Sequence, residues 1–196
     1  ELTAMGMTVE PAAGVNYSGD YSGSYFALAG NIDLQGVDWI PIGFYGDSSE
    51  RAGEVRNVFQ GHFDGKGYII KNLKLNKIGS YNNIGLFGVI HDAVIENITI
   101  IPDNGYEIRG NDQTGVLVGT AVDSQIRNIT IKNANISSSG ISGGIAGEIT
   151  NTVIENGICE KVMINATSGA EIIYVGGIAG IASDSIIADS QVSTGT

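Results

Sequence analysis

The sequence predicts an all-β fold, a parallel β-helix in which successive coils stack on one another. The first observation is a repeat with a period of about 30 residues. The second glycine of each copy marks it, with spacings of 119 − 88 = 31, 147 − 119 = 28 and 180 − 147 = 33. These anchor glycines are Gly88, Gly119, Gly147 and Gly180. A single coil cannot bury its apolar face, so stacking has to supply the core.

The second observation is the segment that follows each anchor. Residues 94–100 read Val-Ile-Glu-Asn-Ile-Thr-Ile, which alternates with a period of two and is dominated by β-branched residues. Glycine and asparagine interrupt every candidate helix before it reaches three turns. The pattern therefore predicts one strand per coil, paired in parallel with its counterpart in the next coil.

Further positions recur at fixed offsets from the anchor. An isoleucine lies seven residues after it, and a leucine or isoleucine lies two residues before it. The first set is Ile95, Ile126, Ile154 and Ile187, and the second is Leu86, Leu117, Ile145 and Ile178. We expect the second set to align inside the coils over residues 84–192, and Ile126 of the first set to lie in the stacked core.

Two recurring polar or small positions each allow two interpretations. Asn97, Asn128 and Asn156, with Asp189 in the last copy, either form an amide ladder along the stack or satisfy backbone at a corner. Gly88 and its equivalents either adopt a positive φ or allow neighbouring coils to approach closely.

The motifs carry a resemblance to a known family. Residues 85–88, Gly-Leu-Phe-Gly, followed by residues 95–98, Ile-Glu-Asn-Ile, resemble the GLUG-type repeat of bacterial surface proteins. Residues 28–34, 39–43 and 59–73 resemble the segments that precede those repeats, so the resemblance covers residues 25 to 192. It implies a right-handed parallel β-helix in a secreted or cell-surface protein. Such repeats occur in adhesin-like proteins and beside the catalytic domain of immunoglobulin A proteases.

The domain prediction is an N-terminal capping segment at 1–45 and one continuous run of repeats at 46–196, a piece of a longer protein. Aromatic residues such as Tyr21, Phe26 and Trp39 make residues 1–45 the candidate cap. Strands are expected at 25–34, 39–42, 58–63 and 68–75, and an insertion rich in polar residues at 101–114. The last coil, ending near Val192, has no comparable cover, so we expect it to pack against a following domain or a second copy.

Composition and charge narrow the function classes. The net charge of −11, from 21 acidic and 10 basic residues, disfavours nucleic acid as a partner. No apolar run of 18 residues occurs, so no membrane-spanning segment is predicted. Four lysines, Lys66, Lys71, Lys74 and Lys77, are interpreted as a solvated strand face in preference to an anion site. The single cysteine, Cys159, is interpreted as a small buried hydrophobic residue.

A catalytic site is weighed because parallel β-helices host polysaccharide-degrading enzymes. Asp92 and Asp123 lie four residues after their anchors, as do Asn151 and Asp184, so neighbouring coils bring two carboxylates close together. The favoured interpretation is that each begins a strand as a turn residue. His62 and His91 lack a zinc-binding spacing.

A calcium site is the second alternative. Asp103, Asn104, Glu107 and Asp112 crowd one stretch, but the EF-hand spacing is missing. We therefore predict no catalytic residue, no metal site and no cofactor.

The predicted function is a non-enzymatic, extracellular β-helix module of a bacterial surface protein, secreted or at the cell surface. It would act in adhesion or ligand binding, with a host or matrix glycan or protein as partner, or as a stalk. One alternative is a polysaccharide-active lyase or glycoside hydrolase, and another is a structural spacer beside a protease domain. An exposed aromatic row would favour glycan binding, paired carboxylates in a groove the enzyme, and a polar surface without such features the spacer.

Overall fold

The computed structural model describes residues 21–43, 58–76, 82–102, 105–166 and 173–194. Within these ranges every element of regular structure is a β-strand. In chain order the strands are β1 Tyr25–Ala27, β2 Ile32–Asp33, β3 His62–Asp64, β4 Ile69–Lys71, β5 Leu75–Asn76, β6 Asn83–Ile84, β7 Phe87–His91, β8 Val94–Ile101, β9 Glu107–Gly110, β10 Gln113–Thr114, β11 Val118–Val122, β12 Gln125–Lys132, β13 Asn135–Ser138, β14 Ile141–Gly143, β15 Ala146–Thr150, β16 Val153–Glu160, β17 Met163–Ala166, β18 Tyr174–Gly176, β19 Ala179–Ser183, β20 Ile186–Ala188 and β21 Gln191–Ser193.

The strands form four parallel sheets that run along the stack. The large sheet has nine strands in the order β1-β3-β8-β12-β16-β20, with β2, β4 and β21 paired beside this path. The three smaller sheets have four strands each, in the orders β18-β14-β10-β6, β19-β15-β11-β7 and β17-β13-β9-β5. The described part of the chain therefore winds through about four coils, which confirms the predicted parallel β-helix.

The strand register reproduces the sequence period. Phe87 pairs with Val118, Val118 with Ala146, and Ala146 with Ala179. These offsets, 118 − 87 = 31, 146 − 118 = 28 and 179 − 146 = 33, equal the spacings of the anchor glycines. One repeat is therefore one coil, and every equivalent residue lies directly above its counterpart.

The core consists of rows of apolar side chains, one residue per coil. Ile95, Ile126 and Ile154 are in register and fully buried, and Phe63 continues the row towards the N-terminus. Leu86, Leu117 and Ile145 are fully buried as predicted, whereas Ile178 in the last coil is only partly buried. Trp39 fills the first coils and donates from Nε1 to the Leu86 carbonyl oxygen at 3.0 Å.

Two corners of each coil are made by residues in the left-handed conformation, which asparagine and aspartate tolerate better than other residues. The first corner is formed by Asp92, Asp123, Asn151 and Asp184, with φ of 49°, 49°, 46° and 49°. The second is formed by Asn97, Asn128, Asn156 and Asp189, with φ of 57°, 53°, 54° and 50°. The turn interpretation of Asp92 and Asp123 is thus confirmed.

The asparagines of the second corner also form the amide ladder. Asn156 Nδ2 donates to Asn128 Oδ1 at 3.1 Å, and Asn128 Nδ2 donates to Asn97 Oδ1 at 2.8 Å. Asn97 Nδ2 then donates to Asp64 Oδ1 at 3.0 Å. Both interpretations left open by the sequence are therefore correct, because each asparagine forms the corner and also takes part in the amide ladder.

The anchor glycines allow close approach of neighbouring backbone and do not adopt a positive φ. A Cβ atom on Gly88 would lie 2.8 Å from the Gly43 carbonyl oxygen, and one on Gly119 would lie 2.6 Å from the Asn83 carbonyl carbon. Neither glycine has a positive φ. The repeat thus needs glycine at the anchor because backbone from a neighbouring segment fills the space of a side chain.

Several predicted elements need correction. The strand expected at 25–34 is two short strands, and residues 39–42 form no strand but only a bridge between Ile42 and Phe87. Pro41 has no N–H to donate to a sheet, which accounts for the interruption. The insertion expected at 101–114 is wrong in part, because β9 and β10 continue the coils there.

The two expected segments of the second coil also divide differently. Residues 58–63 contribute a bridge at Phe59 and then β3, and residues 68–75 contribute β4 and the start of β5. Of the predicted cap, residues 1–20, 44 and 45 lie outside the described residues. Within 21–43, β1 and β2 pair with β3 and β4, and the domain boundary at residue 45 stays a prediction.

Candidate functional site

The outer surface of the large sheet gathers ionisable side chains from successive coils. Strand register places Asp64 beside Glu96, Glu96 beside Arg127, and Arg127 beside Glu155. His62, two residues before Asp64 on the same strand and the same surface, lies beside Tyr25. This row of side chains is the candidate site, and the first corner lies next to it along the chain.

Asp64 is the centre of the N-terminal half of the row. Its carboxylate accepts from the Tyr25 hydroxyl at 2.8 Å, from the Lys66 backbone amide at 2.8 Å and from Asn97 Nδ2 at 3.0 Å. Lys66 Nζ lies 2.8 Å from Asp64 Oδ2 and 5.5 Å from the centre of the Tyr25 ring. The turn at residues 65–67, where Lys66 and Gly67 both have a positive φ, brings the lysine back over the strand.

These bonds decide the charge state of Asp64. Burial by itself raises the pKa of Asp64, but hydrogen bonds from Lys66, Asn97 and Tyr25 outweigh it and hold that pKa well below its ordinary value. The hydrogen bond to Asp64 in turn raises the pKa of Lys66 above its ordinary value. The pair is therefore charged at neutral pH, as expected of a structural ion pair.

The next members of the row are joined in a short chain. His62 Nε2 lies 2.7 Å from Glu96 Oε1, and Arg127 Nη2 lies 3.1 Å from Glu96 Oε2. The Tyr25 ring meets the His62 ring edge to face, with 4.7 Å between centroids. Glu96 thus bridges two basic groups that belong to the coils on either side of it.

The first corner holds the carboxylates considered for catalysis. His91 Nδ1 lies 3.0 Å from Asp92 Oδ2, and His91 Nε2 lies 3.2 Å from Asp123 Oδ2. Asn151 Nδ2 donates to Asp123 Oδ1 at 2.5 Å. The structure therefore brings Asp92 and Asp123 together, as their spacing predicts, but with an imidazole bridging them.

The position of these carboxylates argues for linkage between coils. The Asp92 side chain is 66% exposed and the Asp123 side chain 37% exposed, on an outward corner. Substrate sites are usually concave and bury most of the ligand. The contacts at this corner thus account for the closeness of Asp92 and Asp123 without a substrate.

The other candidates from the sequence are dispersed. Glu107 pairs with Arg109 on the same strand, and Asp103 and Asn104 lie outside the described residues. Among the residues that the structure describes, no group of three side chains is arranged to hold a metal ion. The lysine cluster divides as well, because Lys66 pairs with Asp64 and Lys74 with Asp38, while Lys77 is not described.

Cys159 occupies the core position predicted for it. It lies in register with Ile131 and is fully buried, and burial raises the pKa of its thiol to about 12. A thiol with so high a pKa is not a nucleophile at neutral pH.

Sequence reasoning missed the ion pairs and hydrogen bonds that join neighbouring coils in the row. His62 and Glu96 are 34 residues apart, and Asp64 and Asn97 are 33 residues apart. The repeat period is the signal that predicts such pairs, because residues about one period apart lie side by side in neighbouring coils. Upstream of residue 84 the repeat motif is weak, so the period does not mark these partners in the sequence.

Comparison with known proteins gives two relatives. No family model matches the chain, and no solved structure matches it either. Over 129 residues, 65% of this chain, the sequence is 30% identical to one much longer protein. The chain is similar to halomucin of Haloquadratum walsbyi. It spans about 1% of the length of halomucin.

The second relative is a Gly-rich membrane protein of Evansella cellulosilytica, 35% identical over 95 residues, which are 45% of this chain and 10% of that protein. The aligned part is thus a small share of both halomucin and the bacterial relative. Within the described residues, no helix has the length and apolar character needed to cross a membrane.

Acid titration of Asp64 gives a testable prediction. Because the folded-state pKa of Asp64 is lowered, its stabilising contribution is present above the unfolded-state pKa of about 3.9 and is lost as pH falls through the folded-state pKa. When the pH is lowered below about 4, we expect the thermal unfolding temperature of the unmodified chain to decrease. We expect a smaller decrease in the Asp64→Asn variant. Lys66 is half exposed, so we expect a modest effect that salt weakens. Parallel pH dependences in both proteins would contradict this assignment.

Proposed function

We propose that this chain is a non-enzymatic β-solenoid module of an extracellular bacterial surface protein, with a stalk as its first role. The observation that carries the proposal is the direction of the side-chain contacts on the outer surface. Asp64, Glu96 and Asp123 each bind groups from a neighbouring coil. Such contacts hold one coil to the next, and a stalk needs them to resist separation of its coils along the axis.

The distribution of aromatic rings favours the stalk over a glycan-binding surface. Strand register runs one outward row through Tyr25, His62, Val94, Gln125, Val153 and Ile186. Tyr25 is the one Phe, Tyr or Trp residue in that row, whereas a sugar-binding surface is expected to present several such rings. Tyr25 is 53% exposed, and this observation favours adhesion to a host or matrix glycan or protein as the second candidate.

The extracellular location rests on two likenesses. The repeat resembles the GLUG type of bacterial surface proteins, and one relative is a Gly-rich membrane protein. A stacked β core also needs no disulfide for stability, which is consistent with the single buried Cys159.

Labelling of cells tests the proposal. Antibodies raised against the folded chain are expected to label intact cells of the source organism, and mild external protease is expected to remove the label. A cytosolic protein of the same cells is the control for leakage. Labelling that appears only after permeabilisation would overturn the extracellular role.

Enzymatic inactivity is a separate prediction. The purified chain is expected to release no product from a panel of neutral and acidic polysaccharides, because Asp92 and Asp123 are bridged by His91 on an exposed corner. The measurement is reducing-end release together with absorbance of unsaturated products. Turnover that disappears in both Asp92→Asn and Asp123→Asn, and persists in the matched variant Asp184→Asn, would establish the enzymatic alternative.

A further inference from the structure

The second corner of the coils carries one asparagine that differs from the others in its chemistry. Asn97 and Asn128 are each followed by isoleucine, whereas Asn156 is followed by Gly157. In an Asn-Gly pair the glycine amide nitrogen can attack the side-chain carbonyl carbon of the asparagine, because glycine has no side chain to hinder the approach. A β-branched isoleucine obstructs the same attack. The other Asn-Gly pair of the sequence begins at Asn104, which lies outside the described residues.

The packing around position 157 favours glycine. Gly157 is buried and in register with Ile129, a residue of the core. A Cβ atom on Gly157 would lie 2.8 Å from Ile145 Cδ1 and 3.1 Å from Ser190 Oγ. These two neighbours occupy the space that a hindering side chain would take, so the reactive pair is tied to the packing of the core.

The side chain of Asn156 is held by fewer bonds than that of its neighbour in the ladder. Asn128 donates to Asn97 and accepts from Asn156, whereas Asn156 takes part through the donation to Asn128 at 3.1 Å. The corner residue of the next coil is Asp189, whose carboxylate has no N–H to donate to Asn156 Oδ1. Asn156 is also exposed, so the opening of one ladder bond releases its side chain for reaction.

One contact opposes the reaction. The Gly157 backbone amide donates to Ser190 Oγ at 3.0 Å, and Ser190 Oγ donates to the Ala188 carbonyl oxygen at 2.8 Å. The amide nitrogen attacks only after it has lost its proton, and a hydrogen bond to a neutral hydroxyl oxygen stabilises the protonated amide. Attack therefore requires this bond to open first.

We propose that Asn156 is a site of spontaneous deamidation, and that Ser190 is a positioning residue that slows the reaction. The Gly157 amide gives its proton to water or hydroxide, and its nitrogen forms a bond to Asn156 Cγ. The bond from Cγ to Nδ2 breaks, and Nδ2 leaves as ammonia after taking up a proton from water. Water then opens the cyclic imide at either carbonyl carbon, which leaves aspartate or isoaspartate. This inference is independent of the surface role proposed above.

The reaction changes the corner in two ways. The leaving nitrogen is Nδ2, the atom that donates to Asn128 Oδ1, so the ladder loses its bond between these two coils. The isoaspartate product also lengthens the backbone by a carbon atom just before Ile158, which is in register with Gln191 of the last coil. The modification is therefore expected to weaken the pairing of β16 with β21.

Peptide mapping of the purified chain after prolonged incubation at mildly alkaline pH tests the proposal. Trypsin cleaves after Arg127, Lys132 and Lys161, so Asn128 and Asn156 fall in different peptides. We expect the mass gain of an amide-to-acid change, together with isoaspartate, at Asn156 and neither at Asn128. Fragment masses locate the change within the longer peptide. Isoaspartate identifies the cyclic route, because direct hydrolysis of the side chain yields aspartate alone.

Two alanine substitutions in the last coil separate the Ser190 bond from a general loosening of that coil. Ser190→Ala removes the acceptor of the Gly157 amide, and we expect modification of Asn156 to become about threefold to tenfold faster. Ser185→Ala removes a comparable hydroxyl, which accepts from the Thr152 amide at 3.1 Å, and leaves the Gly157 contact in place. We expect it to change the Asn156 rate by less than about twofold.

The unmodified chain and the variants each offer a result that would overturn the proposal. Equal rates at Asn156 and Asn128 in the unmodified chain, or deamidation of Asn156 without isoaspartate, would contradict the assignment of the site without reference to any variant. So would an Asn156 that stays intact throughout. Equal acceleration by Ser190→Ala and Ser185→Ala, with the coils intact by circular dichroism, would show that opening of the last coil sets the rate and that the Ser190 hydroxyl does not.

Discussion

Ile126→Asp is expected to lower the free energy of unfolding by about 3–5 kcal/mol, since it places an unpaired charge in a dry, stacked core. Ile126 is fully buried between Ile95 of the coil before it and Ile154 of the coil after it. Domains have a total stability of about 5–15 kcal/mol, so the loss removes much of the margin. Equilibrium denaturation in urea, followed by circular dichroism, measures it.

Two control substitutions make this test a test of register. Gln125→Asp changes the preceding residue, whose side chain is exposed on the same strand, and is expected to change the free energy by less than about 0.5 kcal/mol. Ile187→Asp lies in the same inward row but at the open end, so its cost is expected to fall between the two. Equal unfolding midpoints for Ile126→Asp and Gln125→Asp would show that the inward row is assigned to the wrong residues.

The coils from residue 84 onwards follow from the sequence because one geometric rule governs them. Glycine is needed where Asn83 backbone approaches Gly119, and isoleucine is needed at the inward row. A stack repeats these demands in every coil, so the residues that meet them recur with the coil period. Periodicity therefore predicts the core rows as far as Ile145 and Ile154, and it marks the recurring positions that form the corners.

The N-terminal coils follow less well because their contacts are not repeated. The turn at residues 65–67 divides the second coil between β3 and β4, where the next three coils have the single strands β8, β12 and β16. Pro41 interrupts pairing in the first coil. Each feature occurs once, so no period marks it, and the expected strands there were too long.

The ionisable row shows the same limit at the level of side chains. The nearness of Asp92 and Asp123 could be predicted, since both occupy the same position in consecutive repeats. The bridging role of His91 could not, because histidine occurs at that position in one coil only, in register with Val122. The cluster around Asp64 likewise depends on Tyr25 and Lys66, which the repeat does not specify.

Asn128→Gly is expected to lower the free energy of unfolding by about 1–2 kcal/mol more than Asn133→Gly. Both asparagines have a φ of 53°, and glycine adopts that conformation without strain, so the backbone cost is matched in the two variants. Asn128 alone of the two belongs to the ladder, accepting from Asn156 at 3.1 Å and donating to Asn97 at 2.8 Å.

The difference between the two variants measures the ladder itself. Two hydrogen bonds of about 0.5–1.5 kcal/mol each are lost at Asn128, and water reaches this exposed corner and compensates in part. Urea denaturation of both variants beside the unmodified chain gives the two free energies. If Asn128→Gly and Asn133→Gly cost the same, the amides of the second corner serve only its backbone conformation and the coils are held by the core rows and backbone pairing.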